Sequence, residues 1–407
     1  MALTDAEMEE LDQLLNEQEL DNARTDLLSF TQKVMPEFEK TRFHEVYYTI
    51  LDMFADGLIK RLIVTMPPQH GKSQGSTRQL PAYMLGQDPN LKVAIGSYST
   101  TFARKFNRDV QRIIDTPDYY EVFPNTTLNE SNVVTVSSSF LRNSEEFEIV
   151  NHKGSLKAVG RGGPLTGNPV DVMIMDDLYK DAAEGNSPVI RQGVWDWYSS
   201  VVTKRLHNDS QQLIVFTRWH KDDLVGILEQ KDEVIEVTRM DQILDLDEEF
   251  DGWIKINFEA LKDSEPTEFD PREKGEALWP EKHSVKKLTK EREQDPEKFN
   301  CMNQGNPISQ AGLLYREFNT YKELPQLLIR KSITDSADTG SDFLCTVHYG
   351  VPLDHNDDRR FILDVVYTDE PMEITEPLLV KSLIYNNIDE ALIESNNGGR
   401  GFARTIE

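Results

Sequence analysis

The chain has 407 residues, 71 acidic against 44 basic side chains and a formal charge of −27, enough length for two buried cores. Its two cysteines exclude a disulfide framework and a cysteine metal cluster, and suit a reducing compartment. No signal-peptide pattern opens it and no apolar run approaches a membrane span. A surface this acidic excludes wrapping of nucleic acid by the whole molecule and leaves room only for a narrow basic track.

Residues 1–25 read as an acidic helix, with eight acids and no Lys or Arg before Arg24 and a weak apolar face at Leu11, Leu14 and Leu15. Residues 26–250 alternate short apolar strands with helical stretches and glycine-rich junctions, the pattern of a parallel α/β domain. Its first strand lies in "RLIVTMPPQHGKSQG": Leu62, Ile63 and Val64 run through Pro67 and Pro68 to Gly71-Lys72-Ser73. That ending is the tail of a phosphate-binding loop, in which backbone N–H groups at a helix start wrap a polyphosphate. Pro68, Gln69, His70, Gly71, Lys72, Ser73 and Gln74 form the expected ATP cradle, with Lys72 on the β/γ-phosphates and Ser73 on Mg²⁺. Met66 stands where the usual pattern has its first glycine, so the two prolines are expected to make the turn.

Further along, "TTFARKFNRDVQRII" sets Arg104, Arg108 and Arg112 on one helical face and Phe102, Phe106, Val110 and Ile113 on the other. The basic stripe suits DNA or a subunit interface as well as plain solvated surface. "PVDVMIMDDLYKD" is a buried strand ending on two acids, Asp176 for the metal and Asp177 to orient or deprotonate water. "QQLIVFTRWH" brings Thr217 and Arg218 to the same end of a parallel sheet, within reach of a γ-phosphate. Residues 251–311 read as a linking subdomain with helical charge patterning. From about residue 312 to 407, "RKSITDSADTGSDFLCTVHYGV", "RRFILDVVY" and "EALIESNNGGRGFA" give a hairpin-rich mixed sheet with acids at its strand ends. Asp364 also reads as the end of a strand, in a structural role.

In their order and spacing, "MPPQHGKS", "SYSTTFARKFNRDVQRII", "GRGGPLTGNPVDVMIMDDLYKD", "VVTKRLHNDSQQLIVFTRWHKDDLVGIL", "ALWPEKHSVKKL" and "FNCMNQGNPI" resemble the large terminase subunit of tailed bacteriophages. The resemblance runs from about Phe43 to Glu407. It implies a P-loop ATPase of the additional-strand type followed by a ribonuclease H-like nuclease. It assigns Lys72, Asp176 and Asp177 to ATP and its Mg²⁺, places Phe43 and His44 at the adenine, and calls for an arginine near the phosphates. Arg161, in the flexible "GRGGPLTG" segment, is the first choice, with Arg205 and Arg218 as rivals. For the nuclease it implies a two-metal site for Mg²⁺ or Mn²⁺ with Asp335 and Glu394 as the first two ligands. Asp338 and Asp342 lie nearby. The third acid is expected beyond Glu407, so the nuclease half is expected to be partial and inactive in this chain.

The implied activity is ATP-driven packaging of double-stranded viral DNA into a procapsid in the host cytoplasm. The implied partners are the portal protein, the small terminase subunit and further copies of this chain in a ring, with no membrane. A helicase-like or restriction-type translocase shares the lysine and the strand-end acids. Paired aspartates and an appended nuclease half weigh against it.

Overall fold

The structure is a computed structural model that describes residues 5–128, 140–165, 167, 169–247, 250–307, 320–335, 343–354, 357–368 and 370–394. The chain divides into two compact units, Met1–Leu313 and Leu314–Glu407.

Unit one is built on an eight-stranded sheet. In chain order its strands are β1 (Arg61–Thr65), β2 (Lys92–Ser97), β3 (Glu146–Glu148), β4 (Ser155–Gly160), β5 (Val170–Asp176), β6 (Leu206–Phe216), β7 (Val234–Glu236) and β8 (Trp253–Asn257). They lie side by side as β3-β4-β2-β5-β6-β1-β8-β7, all parallel to their neighbours except β3, which runs antiparallel to β4 at one edge. Side chains alternate across a strand, so a sheet covered on both faces needs near-continuous apolar runs in its centre. Leu62 and Val64 of β1 join Val172, Ile174, Leu213 and Val215 under Phe30, Tyr47, Leu51 and Phe106 on one face. Ile63 joins Met173, Met175, Ile214 and Phe216 under Trp197, Tyr198, Leu224 and Leu228 on the other. Because β1, β5 and β6 are parallel, Thr65, Asp176 and Phe216 end at one edge, and β6 is interposed between β1 and β5.

One expectation needs correction here. The sheet continues into the stretch read as a linking subdomain, because Trp253–Asn257 pairs with β1 and not with a separate body. Lys255 obscures this strand in the sequence; its ammonium is buried against Glu229 at 2.8 Å and Glu236 at 2.7 Å, which lets a charge sit in a core strand. The acidic helix spans Asp5–Thr25, in keeping with its expected bounds; its last two turns are tied down by Ala23 in the core, Leu20 packed against it, Lys33 Nζ at 3.8 Å from Glu19 and Arg24 Nε donating to the Val122 carbonyl at 3.1 Å.

Unit two contains β9 (Leu327–Asp335), β10 (Leu344–Pro352), β11 (Phe361–Thr368) and β12 (Glu390–Ile393), ordered β11-β10-β9-β12. The first three are antiparallel and β12 runs parallel to β9. The helix Met372–Tyr385 covers one face, with Leu379 buried on Leu344. Asp364 lies inside β11 and not at its end, accepting from Asn386 Nδ2 at 2.9 Å and Ser382 Oγ at 3.3 Å. Asp338 and Asp342 fall outside the described residues.

Candidate active site

After β1 the chain turns through residues 66–71 into a helical run that starts at Lys72 and continues to Gln87, with a π-helical segment at Gly75–Gln79. The turn is not made by the prolines. Left-handed backbone at Gln69 (φ 61°) and Gly71 (φ 84°) reverses the chain on either side of His70. A Cβ on Gly71 would stand 3.2 Å from His44 Nε2, so a side chain there is disfavoured by both conformation and space. The Lys72 carbonyl accepts from Tyr47 Oη at 2.6 Å and from Ser76 Oγ at 2.8 Å, which fixes the helix start against the helix Arg42–Ala55. Gln74 N–H donates to the Gly71 carbonyl at 2.9 Å, which leaves the N–H groups before it at the helix start to suit an anion.

The side chains that matter meet at the shared edge of β1, β5 and β6. Lys72 Nζ is buried, lies 2.8 Å from Asp177 Oδ2 and donates to Thr217 Oγ1. Thr217 N–H in turn donates to Asp177 Oδ1 at 2.8 Å. Asp177 adopts left-handed backbone (φ 43°), pinned by its own N–H on the Val215 carbonyl and by Tyr98 N–H on its carbonyl, both 3.1 Å. Strain held by surrounding bonds is a feature of functional loops. Asp176 is fully buried; one oxygen accepts from Thr77 Oγ1 while Oδ1 has no protein partner. Burial, then the charge of Asp177, raises its pKa, against the pull of Lys72 and the hydroxyls of Thr77 and Ser73. A buried carboxylate oxygen without a donor, beside a serine hydroxyl, is an all-oxygen setting that suits Mg²⁺. Lys72 and the turn N–H groups suit a polyphosphate.

Other expected residues pack around the turn. Phe43 and His44 are buried under Trp279, with ring centroids 5.8 Å and 4.8 Å from it, and His44 Nδ1 accepts from Thr41 N–H at 3.1 Å. Phe43 is 5% and His44 1% exposed. Gln74 Nε2 reaches the Met35 thioether at 3.5 Å, away from the cradle, and His70 Nδ1 donates to the Pro68 carbonyl at 2.8 Å. Burial lowers the pKa of both His44 and His70 to about 4, so both imidazoles are neutral at pH 7.

The three arginines separate clearly. Arg218 is 2% exposed and its Nε donates to both carboxylate oxygens of Asp223, at 3.0 and 2.9 Å, with Glu229 close by. It anchors the helix Leu224–Lys231 and is not available to phosphates. Arg205 precedes β6, at the opposite edge of the sheet from Thr217; an 11-residue strand covers about 35 Å, so Arg205 cannot serve its own cradle. Arg161 follows β4 at the correct edge, where its Nη1 donates to the Leu178 carbonyl at 2.9 Å and Glu184 Oε2 at 2.7 Å.

Nothing in the chain's patterning signals the cap on the turn. His283 stacks on His70 with centroids 4.4 Å apart and approaches the Gln69 carbonyl at 3.4 Å, while Trp279 covers His44. Both residues lie in "ALWPEKH", a segment visible in the chain but without an assigned position. In unit two, the parallel pairing of β12 with β9 sets Glu394 beside Asp335, with Glu394 N–H on the Thr334 carbonyl at 2.9 Å. Among the described residues no group of three or more His, Cys, Asp or Glu side chains is arranged to hold a metal ion.

A mostly parallel α/β sheet with a lysine-bearing glycine turn after one strand and two aspartates at the end of another is the layout of the P-loop class of nucleotide-binding proteins. The family model for "terminase large subunit, T4-like virus type, N-terminal" matches residues 63–317, more than half of the chain. The chain belongs to the large terminase subunit family. No curated protein sequence matches it. Among solved structures, the large terminase ATPase domain of Thermus phage P74-26 is 15% identical, covering 67% of this chain and 95% of that one, with a TM-score of 0.43. The large terminase of another thermophilic bacteriophage, in complex with ADP, is 8% identical over 89% of this chain and 79% of that one, with a TM-score of 0.34. The Phi-28 gp11 DNA packaging motor is 9% identical over 86% and 93%, with a TM-score of 0.33. Likenesses this low leave the family assignment resting on the sequence match.

Proposed function

We propose that unit one is an ATP-hydrolysing motor that drives double-stranded viral DNA into a procapsid, working with a portal, a small terminase subunit and further copies of itself in a ring. The contact that carries this reading is the Lys72–Asp177 pair, tied together through Thr217, beside the unpartnered oxygen of Asp176. In this arrangement Lys72 neutralises Asp177. ATP phosphates on the turn would compete for the Lys72 ammonium and release the Asp177 carboxylate to accept a proton from water or to orient it. Asp176 and Ser73 would hold Mg²⁺, which when bound offsets the phosphate charge. Thr217, bonded to both charged groups, would carry the change at the phosphates to Asp177.

For unit two we propose a metal-dependent nuclease in which Asp335 and Glu394 bind Mg²⁺ or Mn²⁺. Its support is their position at adjacent parallel strand ends. The motor reading is tested by steady-state ATP turnover. Lys72→Ala and Asp177→Asn should each reduce kcat by at least about a hundredfold. Lys72→Ala should also weaken nucleotide binding, whereas Asp177→Asn should not. Near-normal turnover in either variant would remove the assignment.

A further inference from the structure

With 71 acidic side chains for 44 basic ones, a cation on this surface has carboxylates to choose from. Lys282, Lys286 and Lys290 are exposed, yet none of them pairs with a carboxylate among the described residues. Their neighbours do pair: Lys287 lies 3.9 Å from Glu291, and Arg292 holds Asp263 at 2.7 Å. Lys286 and Lys290 belong to the helix Val285–Gln294, whose one buried residue is Leu288. At about 3.6 residues per turn both lie on the side opposite Leu288, one turn apart and separated by about 6 Å along the axis. Glu293 is the acid on that side.

The same segment caps the phosphate-binding turn. Lys282 Nζ lies 3.8 Å from the ring centroid of Trp279, a cation–π contact that holds the ammonium in place. Trp279 covers His44, and His283 stacks on His70. Arg42 begins the helix whose next residue, Phe43, packs on Trp279 with centroids 5.8 Å apart. Arg42 too is exposed and unpaired among the described residues. Four unpaired cations therefore belong to the two elements that meet at Trp279. The helix Thr100–Ile114 differs, because Arg104 and Arg112 are engaged with Glu145 and Asp109.

We propose that Lys286 and Lys290, with Lys282 and Arg42 supplying further charge, form the track that holds the backbone of duplex DNA. This rests on the motor reading above. Duplex DNA carries about one charge per 1.7 Å of its axis, so two ammoniums about 6 Å apart can each meet a phosphate without distorting the duplex. Binding there breaks no ion pair of the protein. Arg104 and Arg112 would first have to leave their carboxylates, which offsets the gain. Contacts to phosphate carry no base information, as a carrier of any sequence requires. The track and the cap are one short stretch of chain, so Trp279 and His283 fix where the track stands relative to the turn.

The test measures binding of the whole chain to a fluorescent duplex of random sequence, at several concentrations between about 50 and 200 mM salt. Lys286→Gln and Lys290→Gln should each weaken binding roughly fivefold at about 100 mM salt. Each should also make the fall of log K with log salt shallower by about one unit, the loss of one phosphate contact. Lys287→Gln removes the same charge from a lysine already paired and should leave the slope unchanged. Glu293→Gln removes the acid from the track and should tighten binding about twofold, a gain that misfolding cannot imitate. ATP turnover without DNA should stay within about twofold of the parent in all four variants, since none of these residues belongs to the ATP site. Equal effects of the three lysine variants would mean a response to net charge alone and would overturn the track. So would unchanged slopes in Lys286→Gln and Lys290→Gln, or a parent chain that binds no duplex at about 50 mM salt. The motor reading fails separately, by near-normal ATP turnover in Lys72→Ala, so the two failures are distinguishable.

Discussion

At the scale of single residues, Thr217 is the joint of the site. Its hydroxyl accepts from Lys72 while its N–H donates to Asp177, so one residue at the end of β6 reads both charges. Thr217→Val keeps the shape and the N–H and removes only the hydroxyl. It should lower kcat roughly tenfold, the worth of one hydrogen bond to a charged group, while KM for ATP changes little. A change confined to KM, measured in the same steady-state assay, would make Thr217 a binding contact only. Lys72, Asp176, Asp177 and Thr217 were legible in the sequence because each ends or follows an apolar run, and parallel strands deliver their ends to one edge. The fate of Arg218 was not legible. A strand-end arginine looks the same in sequence whether it faces phosphate or, as here, a buried Asp223 that fixes it permanently. Nor could the His70–His283 stack be read, since its partners are far apart in the chain and neither belongs to a periodic pattern.

The elements follow the same logic. β1, β5 and β6 are uniformly apolar at their centres and were recognisable; β8 was not, because burying Lys255 depends on Glu229 and Glu236 from two other elements. Helix starts carry a further electrostatic consequence. Asp52, on the helix Arg42–Ala55, accepts Leu27 N–H at 2.8 Å at the start of the helix Leu27–Val34. Burial raises its pKa from 3.8 to about 7, with Asp26 and Asp56 adding to the shift and the Leu27 bond opposing it. Its folded value exceeds its unfolded one, so its stabilisation is complete below about 3.8 and is lost as pH rises through about 7. Asp52→Asn keeps the acceptor and removes the charge. Relative to the parent it should be more stable at pH 8 than at pH 5, by a ceiling of ~3 kcal/mol that solvent screening cuts to about 1. Urea melts of both proteins at the two pH values check this; a parallel offset at both would mean that the carboxylate ionises freely in the fold.

On the scale of the whole molecule, the chain divides into two compact units, and the formal charge of −27 has to be reconciled with the proposed handling of DNA. The helix Thr100–Ile114 does present Arg104, Arg108 and Arg112 outward, but Arg104 pairs with Glu145 and Arg112 with Asp109 at 2.8 Å, so much of that stripe is already neutralised. The nuclease proposal makes the sharpest demand on the intact chain. Asp335 and Glu394 stand at adjacent strand ends, and no third ligand accompanies them among the described residues. Two carboxylates and water cannot hold two divalent ions close together against their mutual repulsion. On the reading that Asp335 and Glu394 alone supply the metal site, residues 1–407 should bind Mn²⁺ weakly and nick plasmid slowly, with little sequence preference, since phosphate contacts carry no base information. Asp335→Asn and Glu394→Gln should each abolish whatever metal-dependent nicking there is while leaving ATP turnover within about twofold, because the motor residues all lie in the other unit. Plasmid relaxation and ATP turnover measured on the same preparations decide the matter. Robust cutting by the chain with both acids replaced would move the metal site elsewhere, and fast cutting by the parent chain would mean that a third ligand lies outside the described residues.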